Sequence, residues 1–376
     1  MEWKTEQLGN LITIKYGKDH KKLKDGPFPV YGSGGIMRFV DTAIYNKPSL
    51  LLPRKGSLNN IMFTDKPFWT VDTMFWSIID ESKIEPKFLY YAMCKKNLVA
   101  LNVGTSVPSL TVPVLEDVSI PYPPIPIQRK IAGILSALDS KIENNNKINA
   151  NLEAQAEALF KSWFVDFTPF KDQPFVDSEL GPIPQGWKVG KLGDYCECVL
   201  GGTPSRSESS YWNGDIAWIN SGEVNKFRIC TPSEFITSKG LDNSSTKLLP
   251  KKTTVLAITG ATLGQISILE IDSCANQSVI GIKQNDNMPY EFIYPTVKVN
   301  IKRLLNLQTG GAQQHINKNN VQNLFIVYPP KFILQKYKEH TKCIYSKIST
   351  LCFENQRLAA LRDTLLPKLM SGEIKL

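Results

Sequence analysis

Val118-Ser119-Ile120-Pro121-Tyr122-Pro123-Pro124 returns 206 residues later as Leu324-Phe325-Ile326-Val327-Tyr328-Pro329-Pro330. The match runs ungapped from Gly104 and Gly310, pairing Leu115 with Val321 and Ile120 with Ile326. Further out, Trp3-Lys4 and Leu8-Gly9 correspond to Trp187-Lys188 and Leu192-Gly193 at an offset of 184, and Leu58 and Ile61 to Leu263 and Ile266 at 205. The second copy therefore carries about 22 extra residues, mostly between residues 200 and 255. A long internal period of this kind decides the architecture before any local reading does. The chain is two diverged copies of one unit.

Each copy has two parts. The first, 1–124 or 181–330, is rich in Gly, Pro, Ser, Thr and aromatics, with short β-type runs at Leu50-Leu51-Leu52, Phe75–Ile79, Val255–Thr259 and Ser278–Ile282. The second, 127–166 or 331–370, lacks Gly clusters and predicts one long helix. Apolar positions there step by four and three, giving seams at Leu138, Ile142, Asn149, Leu152 and Leu159 and at Ile348, Leu351, Asn355, Leu358 and Leu365. Two such seams predict that the helices pair. Asn149 and Asn355 occupy the same repeat position, where a polar residue can fix register. A helix of this length spans about 57 Å at about 1.5 Å per residue.

The 376 residues are 42% apolar and 21% charged, which excludes a disordered or fibrous chain. Lys+Arg 44 against Asp+Glu 35 gives a net charge of +9, a lean towards an anionic partner. Residues 1–124 and 181–330 are each +3, 125–180 are −2 and 331–376 are +5. Seven scattered cysteines form no ligand or redox framework; the closest pair, Cys196 and Cys198, is C-x-C. The start, Met1 to Glu6, has no apolar core, and no run approaches a membrane span, so a cytoplasmic protein away from any membrane is expected.

Phosphate-loop, nucleophile-elbow, zincin and dinucleotide motifs are absent, and no metal site is expected. The two Tyr-Pro-Pro sequences lack the Asn or Asp that would hold a target amine. Asp72 with Glu81-Ser82-Lys83 resembles a nuclease spacing that chance readily produces in so charged a chain. Three histidines, His20, His315 and His340, leave acid–base catalysis few candidates. No catalytic residue is assigned.

Binding candidates are easier to find. Lys15, Lys18, His20, Lys21, Lys22 and Lys24 concentrate charge that can neutralise phosphates. Tyr31 and Ser33, and Arg54, Lys55 and Ser57, lie in glycine-containing stretches that can approach a ligand closely. In the second copy Thr203, Ser205 and Arg206 follow Gly201-Gly202, Thr262 and Gln265 flank Gly264, and the amides Asn276, Gln277, Gln313 and Gln314 recur. Arg, Asn and Gln are the side chains that match base edges in the major groove.

These residues bring a family into view. Phe160-Lys161-Ser162-Trp163-Phe164-Val165-Asp166-Phe167, Leu365-Leu366-Pro367-Lys368-Leu369-Met370-Ser371-Gly372-Glu373-Ile374 and Gly181-Pro182-Ile183-Pro184-Gln185-Gly186-Trp187 resemble the specificity (S) subunit of type I restriction–modification systems. Gly201-Gly202-Thr203-Pro204-Ser205 with Tyr211-Trp212 and Trp218 is similar to that family's domain opening. Pro121-Tyr122-Pro123-Pro124 with Gln128 is similar to its strand-to-helix junction, repeated as Pro329-Pro330 with Gln335 one residue late. The first copy departs by lacking a Gly-Pro-Ile-Pro segment before Trp3.

The resemblance implies an α+β chain: two similar mixed α/β target-recognition domains joined by two long helices paired as an antiparallel coiled coil. The divisions would be 1–124, the spacer helix 125–167, a linker 168–186, the second domain 187–330 and the second helix 331–370. It implies a non-catalytic subunit that reads a bipartite target in double-stranded DNA, one domain per half. Two modification (methyltransferase) subunits would join it, and two restriction (translocase/nuclease) subunits can follow. S-adenosylmethionine, ATP and Mg would sit on those partners, none on this chain. Trp163, Phe164, Phe167 and Leu369 are candidates for partner contact, though the seam also accounts for Trp163. The competing readings are a stand-alone split-site methyltransferase or nuclease, which would need a cofactor motif, and a coiled-coil scaffold without DNA. If the helices set the interval between half-sites, deleting one heptad from each shortens the DNA spacer that is bound; an unchanged spacer in a binding series would refute the calliper.

Overall fold

The computed structural model describes residues 3–308 and 315–376. It separates into two compact units: the chain up to Glu143 together with Arg357–Leu376, and Asn144–Gln356. In the first, an antiparallel four-stranded sheet has the order Ile12–Tyr16, Met74–Ile79, Ser49–Pro53, Met62–Thr64. In the second the order is Cys198–Leu200, Val279–Ile282, Thr254–Ala257, Ile266–Ile268, again antiparallel. A three-stranded sheet accompanies each. It runs Gly35–Val40, Phe28–Gly32, Trp69–Thr70 in one unit and Glu234–Ile236, Trp212–Ile219, Cys274–Ala275 in the other. The last pair is parallel in both. Two-stranded ribbons, Lys4–Gln7 with Ser119–Tyr122 and Lys188–Lys191 with Phe325–Tyr328, complete the match. Across these sheets the sequence repeat is thus a repeat of topology, strand for strand.

Leu50-Leu51-Leu52 shows no alternation because its sheet is covered on both faces. Leu50 and Leu52 enter the main core of the first unit, while Leu51 packs with Phe68 and Met74 on the other side. Leu256 and its neighbours Val255 and Ala257 divide between two cores in the same way. The strand predicted as Val255–Thr259 stops at Ala257. Beyond it Ile258 donates to Ser278 and accepts from Ile316, and Thr259 bridges His315.

The long helices are Ile125–Phe164 and Lys331–Met370, 40 residues each. Each unit's core takes residues from both. In the first unit Ile131 and Leu135 join Leu369 and Met370; in the second Phe160 and Phe164 join Leu334 and Tyr337. The helices touch within each unit in antiparallel register. Arg362 donates to Asp139 at 2.7 Å in the first. In the second, buried Asn145 donates to Asn355 at 2.9 Å, Asn355 donates to Asn146 at 2.8 Å, and Asn149 donates to the Cys352 sulfur at 3.6 Å. Asn149 and Asn355, equivalent in the repeat, are therefore not each other's partners. Of the seam positions Asn149, Ile348 and Leu351 are buried; Leu138, Ile142, Leu152, Leu159, Asn355, Leu358 and Leu365 are half-buried.

Two motifs carrying the family likeness are packing devices. Trp187 is ringed by Phe164, Phe167 and Phe170 at 5.1–5.9 Å between ring centres. Gly372 ends the second helix at φ +76, where a Cβ would lie 2.9 Å from the Trp3 indole nitrogen, so both the left-handed backbone and the close approach need glycine. The stretch 168–186 is ordered by a short ribbon, Phe175–Val176 with Ile183–Pro184. Gln128 is buried, accepting from the Glu85 N–H at 2.7 Å and donating to the Pro123 and Lys83 carbonyls. Gln335 does not repeat this: it is exposed and donates to Glu339 one turn along its own helix.

A buried ionic network ties the second unit to its helices. The Arg228 guanidinium, with 1% side-chain exposure, donates to Glu153 at 2.8 Å and lies 3.9 Å from Glu270. Tyr294 donates to Glu153 at 2.8 Å and Ser349 to Glu270 at 2.7 Å; Lys252 pairs with Glu270. Burial acts to raise the Glu153 carboxyl, but Arg228, Tyr294 and Lys298 outweigh it and hold it below the usual carboxylate range. No helix among the described residues is long and apolar enough to cross a membrane. Arg228→Met removes the buried guanidinium from between Glu153 and Glu270, leaving them to Lys298 and Lys252 at the edge of the network, so the second unit is expected to lose about 3 kcal/mol in urea unfolding. A loss under about 1 kcal/mol would mean the network is not a structural tie.

Candidate nucleic-acid interface

The Ile12–Tyr16 strand ends at Gly17, whose N–H donates to the Met74 carbonyl at 3.0 Å; the Lys18 N–H then donates to Thr70 at 2.8 Å. Gly201 and Gly202 repeat both bonds, to Val279 at 3.0 Å and Ala275 at 2.8 Å. A Cβ on Gly17 would meet the Val71 carbonyl oxygen at 2.0 Å, and one on Gly201 that of Asn276 at 2.2 Å. These glycines let the chain approach its own backbone. From this anchor each copy launches a variable loop.

In the first unit that loop holds Lys18, Lys21, Lys22 and Lys24 in solvent, with Lys15 exposed on the preceding strand and His20 half-buried. The Asp19 carboxyl accepts from the Lys21 N–H at 3.0 Å, which lowers its pKa and pins the loop. The Trp69 indole donates to the Lys18 carbonyl at 2.9 Å, and Arg38 donates to that of Leu23 at 3.2 Å. The Arg54 guanidinium stands 5.4 Å over the Tyr16 ring and donates to the Asp72 carbonyl at 3.0 Å. Asn60 donates to the Ser33 carbonyl at 2.7 Å, joining the turn at Ser33 to the segment containing exposed Lys55 and Ser57. Three candidate segments far apart in sequence are thus drawn together. Tyr31 is the exception, half-buried edge-on against Phe68.

The second unit builds the same place from different chemistry. Thr203 donates to Gln277. Arg206 stacks 3.7 Å from the Trp212 ring centre, 5.1 Å from that of Trp218, and pairs with Glu234 at 2.6 Å. Ser205 shares a hydrogen bond with Ser207, while Asn276 accepts from the Ser278 N–H and so shapes its own turn. Thr262 and Gln265 lie on the Gly260–Thr262 turn and just after it; Thr262 donates to the Thr259 carbonyl, and the buried Gln265 oxygen has no partner. That turn corresponds to Arg54–Ser57, and the Thr259–His315 bridge corresponds to the bridge between Lys55 and Ser109. Gln313 and Gln314 lie outside the described residues.

Burial pushes the Cys196 thiol up to about 12 and the Cys198 thiol to about 11, so both remain protonated and poor ligands at neutral pH. Among the described residues no group of three or more His, Cys, Asp or Glu could hold a metal ion. Of the partner candidates, Phe164 and Leu369 are buried in their own cores, whereas Trp163 and Phe167 are partly exposed.

The type I restriction modification DNA specificity domain matches residues 1–154 and 184–361, most of both repeats. The chain belongs to that family. It is 30% identical to the MjaIX specificity subunit of Methanocaldococcus jannaschii over 88% of this chain and 79% of that protein. To the HindI specificity subunit of Haemophilus influenzae it is 27% identical, with 81% of each covered. Its fold is similar to the crystal structure of the S subunit from M. genitalium, with a TM-score of 0.63 at 18% identity over 98% of this chain and 96% of that one.

For a DNA specificity chain, the exposed lysine loop suits phosphates and the stacked Arg206 suits bases. Replacing Lys21 and Lys22 by alanine is expected to weaken binding across all duplexes and flatten the log–log salt slope by about 1.8. A loss confined to one sequence, with the slope intact, would contradict the phosphate role.

Proposed function

We propose that this chain is the non-catalytic reading subunit of a type I restriction–modification complex, each unit contacting one half of a split target in double-stranded DNA. The observation that carries the reading is the duplicated site. Two units of one topology each gather solvent-facing basic and polar side chains onto the same loops, with different residues in each. A single site would serve any anion; two dissimilar copies suit two different half-sites. Linking two weak contacts raises the effective concentration of the second and gives tight binding without new interactions.

Methyl transfer would reside on two modification subunits using S-adenosylmethionine, and translocation and cleavage on two restriction subunits using ATP and Mg, in the cytoplasm where the DNA lies. The family membership supports this division of labour, as does the lack of cofactor and catalytic motifs in the sequence. Trp163 and Phe167, partly exposed at the end of the first helix, are the remaining candidates for contact with a modification subunit.

The test is adenine methylation mapped across host DNA with this chain and its candidate modification subunit co-expressed, and with each omitted. The expected outcome is a split motif that needs both chains. Methylation of that motif without this chain would overturn the assignment.

A further inference from the structure

The strand Gly35–Val40 is the outer strand of its sheet, and it carries Ile36, Met37 and Phe39 at 54%, 59% and 50% exposure. A bulge displaces its register: Val30 pairs with Arg38 but Tyr31 with Ile36, leaving Met37 as the extra residue. Bulges of this kind re-aim side chains. An uncovered edge strand with three large apolar side chains invites association, and proteins ordinarily blunt such edges.

Its surroundings name the occupant. Arg38, next to Met37 and Phe39, donates to the Leu23 carbonyl and pairs with Asp25 at 2.7 Å, and the Asp41 N–H donates to the Lys24 carbonyl at 3.0 Å. The lysine loop is therefore laced along this hairpin, and the Ser33 turn at its tip is tied to the segment bearing Lys55. Apolar edge and cationic flank together match a groove floor bordered by phosphates. A two-stranded ribbon fits the major groove, where the thymine methyl offers the apolar contact.

We propose that the 28–40 hairpin enters a groove of the half-site read by the first unit, with Ile36, Met37 and Phe39 contacting base edges, thymine methyls foremost. This rests on the DNA-reading function above. The second unit's equivalent outer strand, Glu234–Ile236, carries Glu234 paired with the stacked Arg206, so the two units would read their halves by different chemistry.

The test uses the full chain co-expressed with its modification subunit, comparing adenine methylation maps for the parent, Met37→Ser, and the triple variant Ile36→Ser, Met37→Ser, Phe39→Ser. Discrimination at one or more positions in one half of the split motif is expected to fall by about tenfold, with the other half unchanged. Met37→Leu, which keeps the apolar surface, should retain the parent motif. Parent-like thermal unfolding of Met37→Ser, expected for an exposed position, separates readout from folding. An unaltered motif in both halves would overturn the proposal, as would loss of the co-purifying modification subunit with DNA binding retained, which would make this edge a protein surface. A parent with no split motif would instead sink the DNA-reading function itself.

Discussion

Neither unit can close its core with its own sheets alone. In the first, Leu50, Leu52 and Phe88 need Ile131 and Leu135 from the start of one long helix and Leu369 and Met370 from the end of the other. At roughly 1.5–3 kcal/mol for each large apolar side chain buried, those four helical residues contribute as much as a typical domain's net stability. The unit therefore depends on segments separated by more than 200 positions of sequence. Contacts so distant fold slowly, because chain entropy is lost before burial repays it. The second unit meets the same constraint with Phe160 and Phe164 against Leu334 and Tyr337.

This shared requirement explains what the duplication preserves. The helix-covered four-stranded sheets keep one strand order, and the parallel pair and the glycine anchors at Gly17 and Gly201 recur beside them. What lies outside that requirement has drifted. Arg228, Glu153 and Glu270 form a buried network in the second unit, while the first fastens its helices with Tyr91 and Arg362 on Asp139. A buried ion pair is costly unless every charge is satisfied. The Asn145–Asn355 amide pair has the same character, and a polar contact of that kind favours one register over its neighbours.

The periodic and repeated features were legible in the sequence; the partnerships between distant residues were not. The ungapped match around Tyr122-Pro123-Pro124 exposes the repeat, and steps of four and three locate both helices to within three residues. Copy-equivalence, however, is not contact-equivalence. Asn149 and Asn355 correspond by translation along the sequence, yet antiparallel packing brings Asn145 to Asn355 instead. Gly201 packs against the Asn276 and Ala275 backbone, a contact no local pattern announces. The Arg228 network left no local pattern, since its members stand at 153, 228, 252, 270 and 294. Ile36, Met37 and Phe39 belong to no motif, and it is the fold that leaves them exposed.

The contrast between the two variable loops bears on how specificity is built. After Gly17 come Lys18, Lys21, Lys22 and Lys24, compact charges on flexible stems that bind phosphate without preference for sequence. After Gly201 comes one Arg206, whose planar guanidinium is held by Trp212 and Glu234. A fixed fork loses little entropy on meeting a base edge and rejects a mismatched one, because its donors would be left unpaired. Freely moving lysines can do neither. Under the proposed reading, discrimination in the first unit falls to groups held more rigidly than its lysines, Arg54 over Tyr16 and the hydrogen-bonded strand edge that carries Ile36, Met37 and Phe39.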